Sequence, residues 1–301
     1  MKRILQIENP RSGQSDTDTN ALRRTCLDQG WELVMRPVTP NCKFADLLAD
    51  AAQFDAVVGV GGDGTISGLA AHLSGSDVPL LAWPGGTANL VAQNLFPALT
   101  PEALCQALVD GQVLSLDMGE LQAGDVTQRF VMLAGAGTDA RMIRDSEELK
   151  SDWGVAAYVK ALLGQLDREP EAIELTIDGE HINEDKAVGV LVANLSKLNF
   201  GFPMGDDIDG QDGLLDVIVI RHFNSGLLLQ EIWNATKRRF GGATEAHPDL
   251  GLYQGRDIQL KSATALPLQY DGEPMDVTTP VAFRVLPKVL RVFGYPEAGV
   301  G

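Results

Sequence analysis

The stretch "VVGVGGDGTISGLAAHL", residues 57–73, passes from the apolar run of a buried strand to the apolar spacing of a helix within one glycine-rich turn. The same passage recurs through the first 110 residues. "RILQIE", "WELVMRPV", "DAVVGV" and "VPLLAW" read as strands. "TDTNALRRTCLDQG", "KFADLLADAAQF", "TISGLAAHLSG", "TANLVAQNLF" and "PEALCQALVDG" read as helices. Continuous apolar strands alternating with helices predict a parallel sheet covered by helices on both faces, a three-layer α/β domain.

After Gly111 the period changes. "VLSLDMGELQAG", "RFVMLAGAG", "EAIELTIDGEHI", "KAVGVLVANL", "LLDVIVIRHF", "DIQLKSATALPLQYDGEPM" and "VAFRVLPKVLRVFG" read as strands broken by Gly, Asp and Asn turns, with helices expected near 139–168 and 225–239. This texture predicts a mostly antiparallel β domain, a β-sandwich or an open barrel. The expected division is 1–115 for the α/β domain and 116–286 for the β domain, with about 287–301 returning to the first.

Charge narrows the function. Twenty-four Lys and Arg against 41 Asp and Glu give −17, which argues against nucleic acid and against broad adhesion to anionic membranes. Cys26, Cys42 and Cys105 are scattered and lack CxxC spacing, as in a reducing compartment, and the four histidines are isolated. No apolar run approaches the ~20 residues of a membrane span. The expectation is a soluble, cytoplasmic protein, transiently membrane-associated, with a homodimer as one arrangement.

In an open parallel sheet, ligands bind beyond the carboxyl ends of the strands. Three polar loops are predicted there: "ENPRSGQ" (8–14), the Gly61-Gly62-Asp63-Gly64-Thr65 turn, and "WPGGTANL" (83–90). Backbone amides of glycines, together with helix N-termini, suit a phosphate. A carboxylate beside phosphates is repelled unless a cation intervenes, so Asp63 suggests Mg2+, held directly or through water. Thr65 and Thr87 are placed to cap helices and to donate to phosphate, and Arg11 is a candidate phosphate partner. The plainer alternative is a strand–helix turn whose glycines serve only the turn. The loops match neither a Walker A motif nor a dinucleotide fingerprint.

Two acidic segments follow. In "QYDGEPMD", Asp271-Gly272 signals a hairpin turn, and Glu273 is either a solvated turn acid or a base for a hydroxyl attacking phosphorus. "MGDDIDGQDGLLD" (204–216) fails the EF-hand pattern, because Asp212 stands where that loop needs glycine; a carbonyl-plus-carboxylate Mg2+ site or a plain acidic loop remains. "TKRRFGG" (236–242) is either a lipid-headgroup contact or a basic helix end. Leu198, Phe200, Phe202 and Met204 are candidates for an apolar lip or for core.

Taken together, NPRSG, GGDGT and PGGTAN resemble the diacylglycerol kinase catalytic-domain family of lipid kinases, which includes bacterial members and the sphingosine and ceramide kinases. "GAGTDA" (135–140), "VANL" (192–195), "DGLLDV" (212–217) and "YDGEPM" (270–275) are similar to family motifs in the same order. The resemblance implies ATP- and Mg2+-dependent phosphorylation of a lipid hydroxyl, diacylglycerol-like or sphingoid-type, at a membrane surface. It implies nucleotide contacts from Asn9, Arg11, Ser12, Thr39, Gly61, Gly62, Asp63, Gly64, Thr65, Ile66, Ser67, Gly86, Thr87 and Asn89. It further implies Glu273 and Asp63 as catalytic residues, with Asp63 on Mg2+ through water. A structural Mg2+ is implied at Asp212 and the carbonyls of Asp209 and Leu214. Leu90 stands where the family often has an aspartate, Ser67 where it commonly has an asparagine, and "GDDIDG" replaces the usual proline-containing stretch. NAD kinases and phosphofructokinases carry loops like GGDGT, so an NAD kinase is one alternative and a non-catalytic nucleotide or lipid sensor another.

Overall fold

A computed structural model describes residues 1–12, 19–86, 89–137, 169–195, 209–221 and 250–295. The helices expected near 139–168 and 225–239, and the segment holding Leu198, Phe200, Phe202 and Met204, lie outside these. The chain divides into two compact units, Met1–Leu116 with Lys288–Gly301, and Asp117–Pro287.

The first unit holds strands β1 (Arg3–Glu8), β2 (Glu32–Pro37), β3 (Ala56–Gly61) and β4 (Leu80–Pro84), with helices α1 (Asn20–Asp28), α2 (Phe44–Leu47), α3 (Asp63–Leu73), α4 (Leu90–Leu95) and α5 (Pro101–Asp110). The strands are parallel in the order β2-β1-β3-β4. Strand β3 is buried along its whole length, as its unbroken apolar run requires of a strand covered on both faces. Helix α5 has orderly ends: Thr100 Oγ1 accepts from the Ala103 amide at 3.2 Å, Pro101 opens the first turn, and Gly111 closes it at φ 68°. Cys26 and Cys105 are buried where α1 meets α5, and burial pushes the Cys26 thiol up to about 11.

"KFADLLADAAQF" departs from its expected single helix. It forms the four-residue α2 and a short 3₁₀ turn, Ala51–Gln53. The cause lies outside the segment. Arg36 Nη1 donates to the Leu47 carbonyl at 2.6 Å, and the guanidinium pairs with both oxygens of Asp50 at 2.6 and 2.8 Å. The break falls where Arg36 holds a carbonyl and a carboxylate of the segment at once.

The second unit is built from two sheets. Strand β16 (Val281–Phe293) leads the first, in the order β16-β13-β8-β9, with β13 spanning Asp257–Ser262, β8 Glu171–Ile177 and β9 Glu180–Ala187. Strand β5 (Val113–Ala123) pairs with β16 and with β6 (Val126–Phe130). The second sheet runs β12 (Leu250–Gly255), β11 (Leu215–Ile220), β10 (Gly189–Ala193), β7 (Leu133–Ala136), β14 (Pro267–Tyr270), β15 (Glu273–Thr278). Neighbours in the second sheet are antiparallel throughout. The inward residues of both sheets, among them Leu175, Val192, Val217, Ile258 and Phe283, form one core.

Strands β5 and β16 both cross the division between the units. The end of β16 pairs with β4 in parallel through Val292 and Leu80. Gly294 N–H donates to the Gln112 carbonyl and Tyr295 N–H to the Leu95 carbonyl, so the chain end is bonded into the first unit.

Candidate active site

Four strands of the first unit end on the same edge, and their loops are hydrogen-bonded to one another. The Asn9 amide donates to the Val60 carbonyl at 2.9 Å, Val38 N–H to the Glu8 carbonyl at 2.7 Å, and Gly85 N–H to the Gly61 carbonyl at 2.9 Å. Asn9 Nδ2 donates to Thr65 Oγ1 at 2.9 Å, while its carbonyl receives the Ser12 hydroxyl at 2.7 Å and its Oδ1 the Arg11 amide at 3.1 Å. Thr39 is exposed in the loop after β2. Asn9, Arg11, Ser12, Thr39, Gly61, Gly62, Asp63, Gly64, Thr65, Gly86 and Asn89 therefore share this edge. Thr87 lies outside the described residues.

The surplus glycines have a steric reason. The two glycine loops touch backbone to backbone: a Cβ added at Gly86 would lie 2.5 Å from Gly62 Cα. Any side chain there would force the loops apart. Asn89 fixes the second loop from within, accepting from Gly86 N–H at 2.8 Å and donating to the Gly86 carbonyl at 2.7 Å, from a left-handed backbone at φ 50°.

With its side chain spent on Gly86, Asn89 does not cap α4. Asp63 does so instead: its Oδ1 accepts from the Val91 amide at 3.0 Å. A carboxylate at a helix N-terminus is favoured by the unpaired amides and the helix dipole. Asp63 thus joins the first glycine turn to the helix following the second, a link its sequence neighbours do not disclose.

Ile66 and Ser67 follow Thr65 into α3, and all three are buried. The Ile66 amide is already bonded to the Gly62 carbonyl at 3.1 Å. Ile66 packs over Gly59, and the Ser67 hydroxyl is enclosed with no hydrogen-bond partner. Their side chains face the interior of the helix packing.

In the second unit, Glu273 opens β15 directly opposite Tyr270. The two-residue turn between them, Asp271-Gly272, has φ of 43° and 83°, the left-handed pair that Asp-Gly favours. Partial burial raises the Tyr270 phenol, with Glu273 and Asp271 adding to it. Asp271 is bonded to three successive amides: Val131 at 2.8 Å, Met132 at 2.9 Å and Leu133 at 3.1 Å. These bonds stand where "RFVMLAGAG" breaks, β6 ending at Phe130 in one sheet and β7 beginning at Leu133 in the other.

The acidic loop folds around its own amides. Asp209 Oδ1 accepts from Gln211 N–H at 3.0 Å and Asp212 Oδ1 from Leu214 N–H at 2.8 Å. Asp117, fully buried on β5, accepts from Gly213 N–H at 2.7 Å, and its own amide donates to the Gly210 carbonyl. Burial, then Asp209 and Asp117, push the Asp212 carboxyl up; burial does the same at Asp216. The acid inside the apolar run "SLDMG" was the available sign of Asp117. Among the described residues no three His, Cys, Asp or Glu side chains are grouped to hold a metal. A Mg2+ here would rest on single carboxylates with backbone carbonyls.

Two family models cover almost the whole chain: the diacylglycerol kinase catalytic domain over residues 3–121, and the YegS C-terminal NAD kinase beta sandwich-like domain over residues 132–294. The chain belongs to the diacylglycerol kinase family. Among relatives of this chain, the uncharacterized protein sll0036 of Synechocystis is 33% identical over 90% of this chain and 60% of its own length. A diacylglycerol kinase of Mycobacterium tuberculosis is 30% identical over 60% of each chain. The chain thus spans about 60% of the length of these two relatives. A solved diacylglycerol kinase of Bacillus anthracis shares the fold with a TM-score of 0.70 at 20% identity, covering 98% of this chain and 97% of its own. An Archaeoglobus fulgidus NAD kinase in complex with ATP superposes with a TM-score of 0.55 at 16% identity, over 97% and 93%. The α/β-plus-antiparallel architecture of this chain is therefore the one expected. Among its described residues no helix is long and apolar enough to cross a membrane.

Proposed function

We propose that this kinase transfers the γ-phosphate of ATP to the hydroxyl of a lipid presented at a membrane surface. The observation that carries the reading is the pair of touching glycine loops at Gly62 and Gly86, tied by Asp63 and edged by Asn9 and Thr65. Family membership gives the reaction class. In the proposed step the lipid oxygen attacks γ-phosphorus, forming a new P–O bond as the bond to ADP breaks, and Glu273 takes the hydroxyl proton. The loop amides with Arg11, Thr39, Thr65 and Thr87 would orient the triphosphate. Asp63, through water, and Asp212 with the carbonyls of Asp209 and Leu214 would each hold a Mg2+, the first supplying charge neutralisation at the phosphates and the second bracing its loop.

Labelled ATP with Mg2+, offered with diacylglycerol, monoacylglycerol, ceramide and sphingoid bases in mixed micelles and with NAD as a separate acceptor, tests the reading. Label in a lipid is the expected result; label only in NADP would replace it with an NAD kinase, the reading that the Archaeoglobus likeness keeps in view. Glu273→Gln is expected to lose at least ~10²-fold in kcat, the lower end for a positioned acid–base group. A wild-type kcat in that variant removes Glu273 from the base role.

A further inference from the structure

The turn that presents Glu273 is held by more than its own hydrogen bonds. Hairpin β14–β15 stands at the edge of its sheet, and its pairing shifts register between Pro267 and Gln269. An edge hairpin with an irregular ladder is a poor platform for a group that must sit within tenths of an ångström of a proton. Here both residues of the turn are anchored. Asp271 takes the amides of Val131, Met132 and Leu133 and returns its own amide to the Leu133 carbonyl at 2.8 Å. Gly272 N–H donates to Oε1 of the buried Gln269 at 3.1 Å.

The residue type matters. Asn-Gly would make the same turn as well as Asp-Gly does, so the turn alone does not call for an acid. Three converging N–H donors do, because a carboxylate only accepts, whereas an asparagine would turn an NH2 toward one of them. Glu273 is the second residue after Asp271 along the chain, with only Gly272 between them.

We infer that Asp271 is a positioning residue for Glu273, locking the hairpin to the corner between β6 and β7 so that the carboxylate meets the acceptor hydroxyl. The inference rests on the reading of Glu273 as the base. Its signature is a dependence that vanishes when Glu273 is gone.

The test is a double-mutant cycle in the mixed-micelle assay, with folding followed by circular dichroism and thermal midpoint. Asp271→Asn is expected to lower kcat roughly 10-fold and Asp271→Ala up to roughly 100-fold, the scale of an ångström-sized misplacement, with KM for ATP within about twofold of wild type because the hairpin holds no loop that binds nucleotide. In the Glu273→Gln background either change is expected to cost less than about twofold. Equal losses in both backgrounds, or an unchanged kcat in folded Asp271→Asn, overturn the inference. A wild-type kcat in Glu273→Gln alone overturns the base reading instead. Should Asp271→Ala fail to fold, Asp271→Asn carries the cycle. Amide hydrogen exchange needs no acceptor lipid: Asp271→Asn is expected to speed exchange across 270–274, and unchanged protection there also overturns the inference.

Discussion

At the scale of single residues, Asp63 carries two separable duties. Its Oδ1 caps α4 through the Val91 amide, and its charge is proposed to hold Mg2+ near the phosphates. Asp63→Asn keeps a carbonyl oxygen for the cap and removes the charge. We expect its thermal midpoint to stay near wild type while kcat falls at least ~10²-fold. Asp63→Ala loses both, and the lost cap is expected to cost about 1 kcal/mol in denaturant unfolding. Wild-type turnover in Asp63→Asn would leave the residue a structural cap alone. The GGDGT motif was readable as a strand–helix turn, because glycines and a strand–helix junction are local signals. The partner of Asp63 was not, because Val91 lies 28 residues away and nothing near Asp63 announces it. Asp271 was visible only as turn chemistry, since its three donors lie about 140 residues earlier.

At the scale of elements, the clearest coupling is between the two sheets of the second unit. Glu184 on β9 receives both Arg221 contacts, at 2.8 and 2.7 Å, from the residue just past β11, and the Tyr253 hydroxyl at 2.6 Å from β12 of the other sheet. The Arg221 guanidinium holds the Glu184 carboxyl below the usual carboxylate range. A carboxyl depressed in the folded state adds stability above its unfolded pKa of about 4.3 and loses it as pH falls through the lower folded value. Glu184→Gln is therefore expected to cost about 1–3 kcal/mol in urea unfolding at pH 7, less than at a fully buried pair because the Arg221 side chain is 34% exposed. That difference should hold down to about pH 5 and shrink below about pH 4. A difference independent of pH would show that packing, not charge, does the work. Strands were the legible elements: β1, β3, β5 and β8 follow their apolar runs or alternation. The breaks were not legible. "RFVMLAGAG" is apolar across its break, and "KFADLLADAAQF" has good helix formers throughout. Asp271 and Arg36, both remote, interrupt them.

At the scale of the whole molecule, the charge of −17 sets conditions on how the proposed lipid surface would be approached. Anionic bilayers repel such a chain at low salt, and screening weakens that repulsion over about 10 Å at 0.1 M. Sedimentation with vesicles should show weaker association with phosphatidylglycerol-rich than with phosphatidylcholine vesicles at 20 mM salt, the gap closing as salt rises. Tighter binding to the anionic vesicles would point to a local basic patch overriding the net charge. The return of β16 to the first unit has a different kind of consequence, one of time. Leu290, Val292 and Phe293 are buried, and Val292 pairs with Leu80, so the parallel sheet gains its last strand from residues made some 200 positions after β4. On the ribosome, the glycine loops would emerge early on a sheet whose edge beside β4 is still bare. The first unit can reach its final form only after the β domain has been synthesised.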